Sequence, residues 1–119
     1  MSTLTITKLT CTKKRDPIGK DEIDIYVSAD DATEVFLSGP HFLDKSKNDD
    51  EVQLSAVKAF SEKIRIRLRE RNGEKGGNND LDLGTKTVYQ DEKHNFTYSH
   101  NFIANDGGVF YTLSYKIVP

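Results

Sequence analysis

Apolar and polar residues alternate with a period of two along most of the chain. In residues 109–117 every odd position is apolar or aromatic, and the even positions from Thr112 onward are polar. Ile64, Ile66 and Leu68 alternate with arginines in the same way. Successive side chains of a β-strand point to opposite faces, so this pattern predicts strands that bury one face.

Eight segments of this kind are separated by clusters of Gly, Asn, Asp and Pro, of which Ser38-Gly39-Pro40 is one. Short strands at this spacing predict a single domain over residues 1–119, an all-β, eight-stranded antiparallel β-sandwich. We place the strands near residues 3–11, 23–28, 34–38, 51–57, 63–70, 83–89, 95–103 and 109–118. The first strand changes phase near Lys8-Leu9, which predicts a β-bulge. A helical turn over 55–61 is the alternative reading of one segment.

Composition excludes several classes of protein. The 119 residues include 17 Lys+Arg and 19 Asp+Glu, and a net charge of −2 argues against a nucleic-acid binder. The single Cys cannot form an internal disulfide. No apolar stretch approaches the roughly 20 residues of a membrane span, and the absence of a signal peptide predicts a cytoplasmic start. Without a recognisable catalytic motif, we expect a protein that is not an enzyme.

Strand parity predicts that acidic residues gather at one end of the sandwich. Because an antiparallel chain reverses at each connection, the connections after the first, third, fifth and seventh strands share an end. Those connections hold 11 of the 19 acidic residues: Asp16, Asp21, Glu22, Asp44, Asp49, Asp50, Glu51, Glu74, Asp80, Asp82 and Asp106. Crowded carboxylates repel one another unless a cation compensates, and calcium takes six to eight oxygen ligands. Turn formation and surface solvation are the alternative explanation for these residues.

Two segments carry a resemblance to a known family. The stretch Asp16-Pro17-Ile18-Gly19-Lys20-Asp21-Glu22 is similar to the first calcium loop of C2 domains, and residues 64–70 followed by Asp80-Leu81-Asp82-Leu83-Gly84 resemble the third. The order of strands resembles the circularly shifted form of the C2 fold. The chain also resembles small bacterial β-sandwich proteins with a Tyr-Thr-Leu-x-Tyr-Lys end, here residues 111–116.

The resemblance implies a calcium site with ligands from three loops. The implied metal ligands are Asp16, Asp21, Glu22, Glu70, Asn72, Asp80 and Asp82, with Asp44, Asp49 and Asp50 as second-loop candidates. The sequence has Glu70-Arg71-Asn72 where the family has Asp-x-Asp, and Lys75 adds a positive charge. Fewer anionic oxygens imply weak affinity, with a dissociation constant of about 10⁻⁴ M or poorer.

The arginines and histidines give less specific signals. Arg65, Arg67 and Arg69 indicate a solvated outer sheet face, with an anionic partner as the alternative. His94 and His100 share a face of a straight strand, but six residues separate them by about 20 Å, too far to chelate one ion. The aromatic residues between them fit a partner surface or core packing equally well.

The sequence therefore predicts a non-catalytic calcium-binding β-sandwich module that could gate a partner or membrane contact. Lipid binding is not expected to follow, because Ile18 is the one clear apolar loop tip. Calcium-independent protein interaction or self-assembly through an exposed C-terminal strand, 109–118, is one alternative. A carbohydrate-binding module is the other, and its candidate platform is Tyr89, Tyr98, Tyr111 and Tyr115.

Overall fold

The computed structural model describes residues 1–14, 21–44, 50–71, 81–92, 94–104 and 108–119. Eight strands form within these ranges, which confirms the prediction of an all-β chain. They are β1 (Ser2–Lys13), β2 (Asp21–Ala29), β3 (Val35–Leu43), β4 (Asp50–Phe60), β5 (Lys63–Arg71), β6 (Leu81–Tyr89), β7 (Tyr98–Ala104) and β8 (Val109–Val118). The helical alternative over 55–61 is wrong, because β4 continues through Phe60. In the part of the chain that is described, no helix is long and apolar enough to cross a membrane.

The strands form two four-stranded antiparallel sheets. The first sheet has the order β4-β1-β8-β7, and the second has the order β3-β2-β5-β6. The apolar residues of the alternating pattern line the inner face of each sheet. In the second sheet Ile25 on β2 pairs with Leu68 on β5, and in the first sheet Leu9 on β1 pairs with Leu113 on β8. All four of these side chains are fully buried. The period-two pattern therefore builds one apolar layer between two sheets.

The predicted bulge in β1 is confirmed. The register of β1 shifts between Ile6 and Lys8 against both of its neighbours. Ile6 and Leu9 are three positions apart, yet both are fully buried. The extra residue of the bulge returns the second half of the strand to the core face.

β3 is longer than the sequence predicts. It runs through Ser38-Gly39-Pro40, which we interpreted as a turn, and ends at Leu43. The Gly39-Pro40 peptide bond is cis, and Gly39 has a φ of 138°. A Cβ on Gly39 would lie 2.6 Å from Oδ1 of Asp24 on the neighbouring strand. Ser38-Gly39-Pro40 is therefore an irregular segment inside a paired strand and not a turn between strands.

The C-terminal strand is not an edge, so the suggested self-assembly site at 109–118 is wrong. β8 pairs with β1 on one side and with β7 on the other. The pairing of Thr3 with Val118 joins residues from opposite ends of the chain, a contact that local patterns do not reveal. The edges of the two sheets are instead β4, β7, β3 and β6.

Candidate functional site

The strand ends that precede the acidic connections lie together, as the parity of the strands predicts. In the first sheet, Cys11 near the end of β1 pairs with Asp50 at the start of β4 and with Tyr111 near the start of β8. In the second sheet, Asp21 at the start of β2 pairs with Leu43 at the end of β3. We call this end, where β1, β3, β5 and β7 finish, the loop end.

Two of the predicted ligands, Asp21 and Glu70, face the space between the sheets at the loop end. Asp21 is two residues before the buried Ile23, and Ile23 pairs with Glu70, so all three side chains point inward. Asp21 is 0% exposed and Glu70 is 1% exposed. The structure thus places two carboxyl groups on adjacent strands in a largely water-free layer.

A tyrosine from the opposite sheet reaches Asp21. The hydroxyl of Tyr111 donates a hydrogen bond of 2.6 Å to Oδ2 of Asp21. Burial, reinforced by the hydrogen bond to Asp21, raises the pKa of Tyr111 far above its usual value, so the hydroxyl keeps its proton. This contact links the two sheets. The sequence marked Tyr111 as a candidate aromatic platform residue and gave no signal of this role.

Two other predicted ligands, Glu22 and Asp82, lie on the outer face of the second sheet. Strand alternation turns Glu22 away from Asp21, and its charge contributes to raising the pKa of Arg71. Asp82 is exposed, accepts a hydrogen bond from the Gly84 amide at 3.0 Å and lies 3.4 Å from Nη1 of Arg67. The structure therefore separates these two carboxylates from the inward-facing pair.

The outer face of the second sheet also contains a buried carboxylate that we did not predict, that of Asp24. Asp24 is only 2% exposed, although it lies on the outer face of β2. Its Oδ2 accepts a 2.7 Å hydrogen bond from Nε of Arg71, and its Oδ1 accepts one of 3.2 Å from Nη2. This charged pair raises the pKa of Arg71. An Asp flanked by Ile23 and Ile25, with Arg71 just after a predicted strand, was the available signal.

The second-loop candidates Asp44 and Asp50 are neighbours. The backbone amide of Asp44 donates a 2.8 Å hydrogen bond to Oδ2 of Asp50. The ammonium of Lys14 forms an ion pair with the Asp44 carboxylate. A cation of the protein itself therefore already offsets part of the negative charge here. The remaining predicted ligands, Asp16, Asp49, Asn72 and Asp80, lie outside the described residues.

Within the described ranges, no three His, Cys, Asp or Glu side chains are grouped so that they could hold a metal ion. The inward pair of Asp21 and Glu70 supplies two carboxylates of the type that calcium prefers. A calcium site at the loop end would thus need further oxygen ligands from the connecting segments.

The arginines of β5 do not form one continuous basic surface, because at least two of them pair with carboxylates. Nε and Nη2 of Arg67 both donate to the Glu34 carboxylate, and the guanidinium lies 5.4 Å from the ring centroid of Tyr26. The pairing with Glu34 raises the pKa of Arg67. Arg67 and Arg71 thus have carboxylate partners, in agreement with a solvated outer face.

The histidine and tyrosine predictions have separate outcomes. β7 begins only at Tyr98, so His94 lies in the preceding turn, where Nε2 is 3.3 Å from the Gln90 carbonyl oxygen. Tyr111 and Tyr115 are buried because they occupy the inward positions of β8. The predicted platform of four outward tyrosines is therefore wrong, because at least two of its members belong to the core.

The comparisons with known proteins agree with this architecture. No family model matches the sequence, and no curated protein matches it. A solved structure described as a C2 domain aligns over 100% of both chains, with a TM-score of 0.60 and 15% identity. The fold is C2-like. A C2 domain of plant Extended Synaptotagmin 1 aligns over 99% of this chain and 93% of its own, with a TM-score of 0.55 and 12% identity. At these identities the C2-like resemblance concerns the fold alone.

Proposed function

We propose that this C2-like chain is a non-catalytic calcium-binding module that holds the ion at the loop end. The observation that carries the proposal is the pair of inward carboxyl groups, Asp21 and Glu70, both at most 1% exposed. A divalent cation between these adjacent strands would contact oxygen atoms of both side chains in a layer with little water. Carboxylate oxygens are also the ligands that calcium selects.

The rest of the ligand set in this proposal comes from the connecting segments. Asp16, Asn72 and Asp80 would supply oxygen atoms from the connections after β1 and β5. Asp44 and Asp50 would contribute from the connection after β3, where the amide of one already binds the carboxylate of the other. Glu22 and Asp82 have no part in the proposed site, because they lie on the outer face of the second sheet.

The same contacts argue for weak calcium binding. The Tyr111 hydroxyl already occupies Oδ2 of Asp21, and Lys14 already pairs with Asp44. Calcium would have to compete with both groups. We therefore expect a dissociation constant of about 10⁻⁴ M or weaker, in the range of low-affinity extracellular modules.

A thermal melt tests the proposal directly. The purified protein is heated in excess EGTA, in about 3 mM calcium and in about 3 mM magnesium. A ligand that binds only the folded state stabilises it by mass action, so a site of 10⁻⁴ M adds about 2 kcal/mol at this calcium concentration. For a chain of this size the melting temperature should rise by roughly 5–10 °C in calcium and much less in magnesium.

Two variants locate the site. Glu70→Gln keeps the shape of a buried side chain and replaces its carboxyl group by an amide. Asp80→Asn makes the same change at a proposed ligand in the segment between β5 and β6. Both should abolish most of the calcium-dependent rise. Asp91→Asn is the matched control, because Asp91 is exposed in the connection after β6 at the opposite end. A calcium-dependent rise that survives in both variants, or no rise in the unmodified protein, would contradict the proposal.

A further inference from the structure

β4 is an edge strand whose free side is open to pairing. It spans 11 residues, Asp50–Phe60, and contains neither Gly nor Pro. Each of the other three edge strands is interrupted or short. β3 contains Gly39 and Pro40, β6 contains Gly84 at a φ of 107°, and β7 has only seven residues. Irregularities of this kind discourage an edge from pairing with another chain.

The outward face of β4 is weakly charged. Exposure alternates without interruption along the whole strand, and its exposed side chains are Glu51, Gln53, Ser55, Val57 and Ala59. Of these five, only Glu51 has an ionisable side chain. The register irregularity between β1 and β4 lies opposite Thr7 and leaves this alternation intact. The exposed side chains therefore stay on one face along the whole strand.

Lys58 restricts which strand can pair there. It lies opposite the buried Leu4, so it points inward with Leu54 and Ala56, and it is half-buried. No described residue forms an ion pair with Lys58. An inward lysine on an edge strand opposes pairing with an apolar neighbour. An incoming strand must therefore place a carboxylate opposite it.

β4 itself meets that requirement. We propose that a second copy of this chain pairs with β4 in an antiparallel manner, about a twofold axis at Leu54. In this register the residue numbers of opposed positions sum to 108, so Leu54 faces its own copy and Lys58 faces Asp50 of the second chain. Directly opposed residues share a face, and Asp50 and Lys58 both occupy inward positions. Nine residues of each strand, Asp50 to Lys58, then pair, with two charge-complementary contacts per dimer.

Charge selects this register over its alternatives. A slip of two residues places Lys58 opposite Val52, and a larger slip can place it opposite Lys58 of the second copy. Slips by one residue would bring the inward face of one strand beside the outward face of the other. The register centred on Leu54 is thus the one in which the inward lysine gains a carboxylate.

The adjacent edge strand adds apolar surface to the same side of the sandwich. Val35, which lies opposite the buried Val27 on the inward face of β3, is 43% exposed. The twofold axis that joins the two β4 strands places both copies of β3 along the same interface. The dimer would join the two β4 strands into one continuous eight-stranded sheet.

A disulfide trap tests the register. In the proposed dimer the two Cα atoms of residue 54 face each other at about 4.5–5.5 Å, within the range of a disulfide. Leu54→Cys should therefore give a covalent dimer under mild oxidation. Val52→Cys is the matched control, because it lies on the same face of the same strand, but its two copies are separated by about 13 Å along the pairing. The native Cys11 is fully buried. The unmodified protein, oxidised in the same way, shows how much covalent dimer forms through Cys11 alone.

Sedimentation measurements on charge variants provide the second arm, in EGTA, because Asp50 is also a proposed calcium ligand. Lys58→Glu should raise the dimer dissociation constant roughly tenfold, because two attractive contacts become repulsive. Adding Asp50→Lys to that variant should restore much of the affinity. If the protein is a monomer at every concentration, the proposal is wrong. The remaining candidate for pairing with β4 is then a strand of another protein. Equal cross-linking of the two cysteine variants, or a dimer insensitive to the charge changes, also overturns the proposal.

Discussion

Gly39 on β3 packs closely against β2, so replacing it with alanine should lower the free energy of unfolding by an amount that the structure allows us to work out. A methyl group on Gly39 would lie 2.6 Å from Oδ1 of Asp24, 2.9 Å from the Ile23 carbonyl oxygen and 3.0 Å from Cα of Asp24. Two of these three atoms are backbone atoms of a central strand, which cannot move aside cheaply. The Asp24 carboxylate is also held by Arg71. We expect Gly39→Ala to displace β3 from β2.

The magnitude has two parts. A non-glycine residue at a φ of 138° carries backbone strain of about 1–3 kcal/mol. Forcing an extra carbon atom into a filled space costs about another 1–3 kcal/mol. The free energy of unfolding should therefore fall by about 4 kcal/mol, which is a large share of the stability of a small domain.

Gly84→Ala is the control that separates the two parts. Gly84 also has a positive φ, 107°, but a Cβ there would meet no atom within 4 Å. It should show the backbone strain alone, and the effect of a Gly→Ala change on the unfolded chain is common to both variants. Urea denaturation gives the two free energies of unfolding, and we expect Gly39→Ala to lose about 2 kcal/mol more than Gly84→Ala. Equal losses would refute the reasoning that close packing at Asp24 requires a glycine.

Two further predictions concern Asp30 and Tyr111. The Asp30 carboxylate accepts hydrogen bonds from the amides of Ser61, Glu62 and Lys63 at 2.7, 2.7 and 3.1 Å, and these bonds lower its pKa below 3.8. Its contribution to stability is therefore complete above about pH 4 and is lost as the pH falls through the lowered value. Asp30→Ala should lower the melting temperature at pH 7. Between about pH 4 and pH 2 the melting temperature of the variant should fall less than that of the unmodified protein, and an equal fall in the two proteins would contradict this. Tyr111→Phe should reduce the free energy of unfolding by about 2 kcal/mol, because the buried Asp21 loses a donor; a urea midpoint equal to that of the unmodified protein would show that this link contributes nothing.

Local sequence patterns predicted the strands well because each strand buries one face. The alternation over residues 109–117 reflects the inward positions of β8, and the phase change near Lys8-Leu9 corresponds to a real bulge. Strand parity also predicted which strand ends meet at the loop end. These inferences need only the chain direction and the geometry of one strand.

Features that depend on which strands become neighbours were not predictable in this way. Strand β8 looked like an exposed edge, but it lies between β1 and β7. Asp24 occupies a polar position of β2, and its burial follows from the close approach of Gly39 on β3. Similarly, the partner of Asp21 is Tyr111, which is 90 residues away in the chain and on the other sheet. Such contacts arise from tertiary structure, which a local pattern does not encode.

The placement of β8 between β1 and β7 sets an order for folding during synthesis. All four strands of the second sheet lie within residues 21–89, so that sheet can assemble while the chain is still being made. β1 can pair with β4 early, but its second neighbour, β8, begins at Val109, 96 residues after Lys13. At synthesis rates of about 5–20 residues per second, that wait is about 5–20 s. Throughout this interval one edge of β1 lacks its neighbour, so the first sheet can be completed only after all four strands of the second sheet have been made.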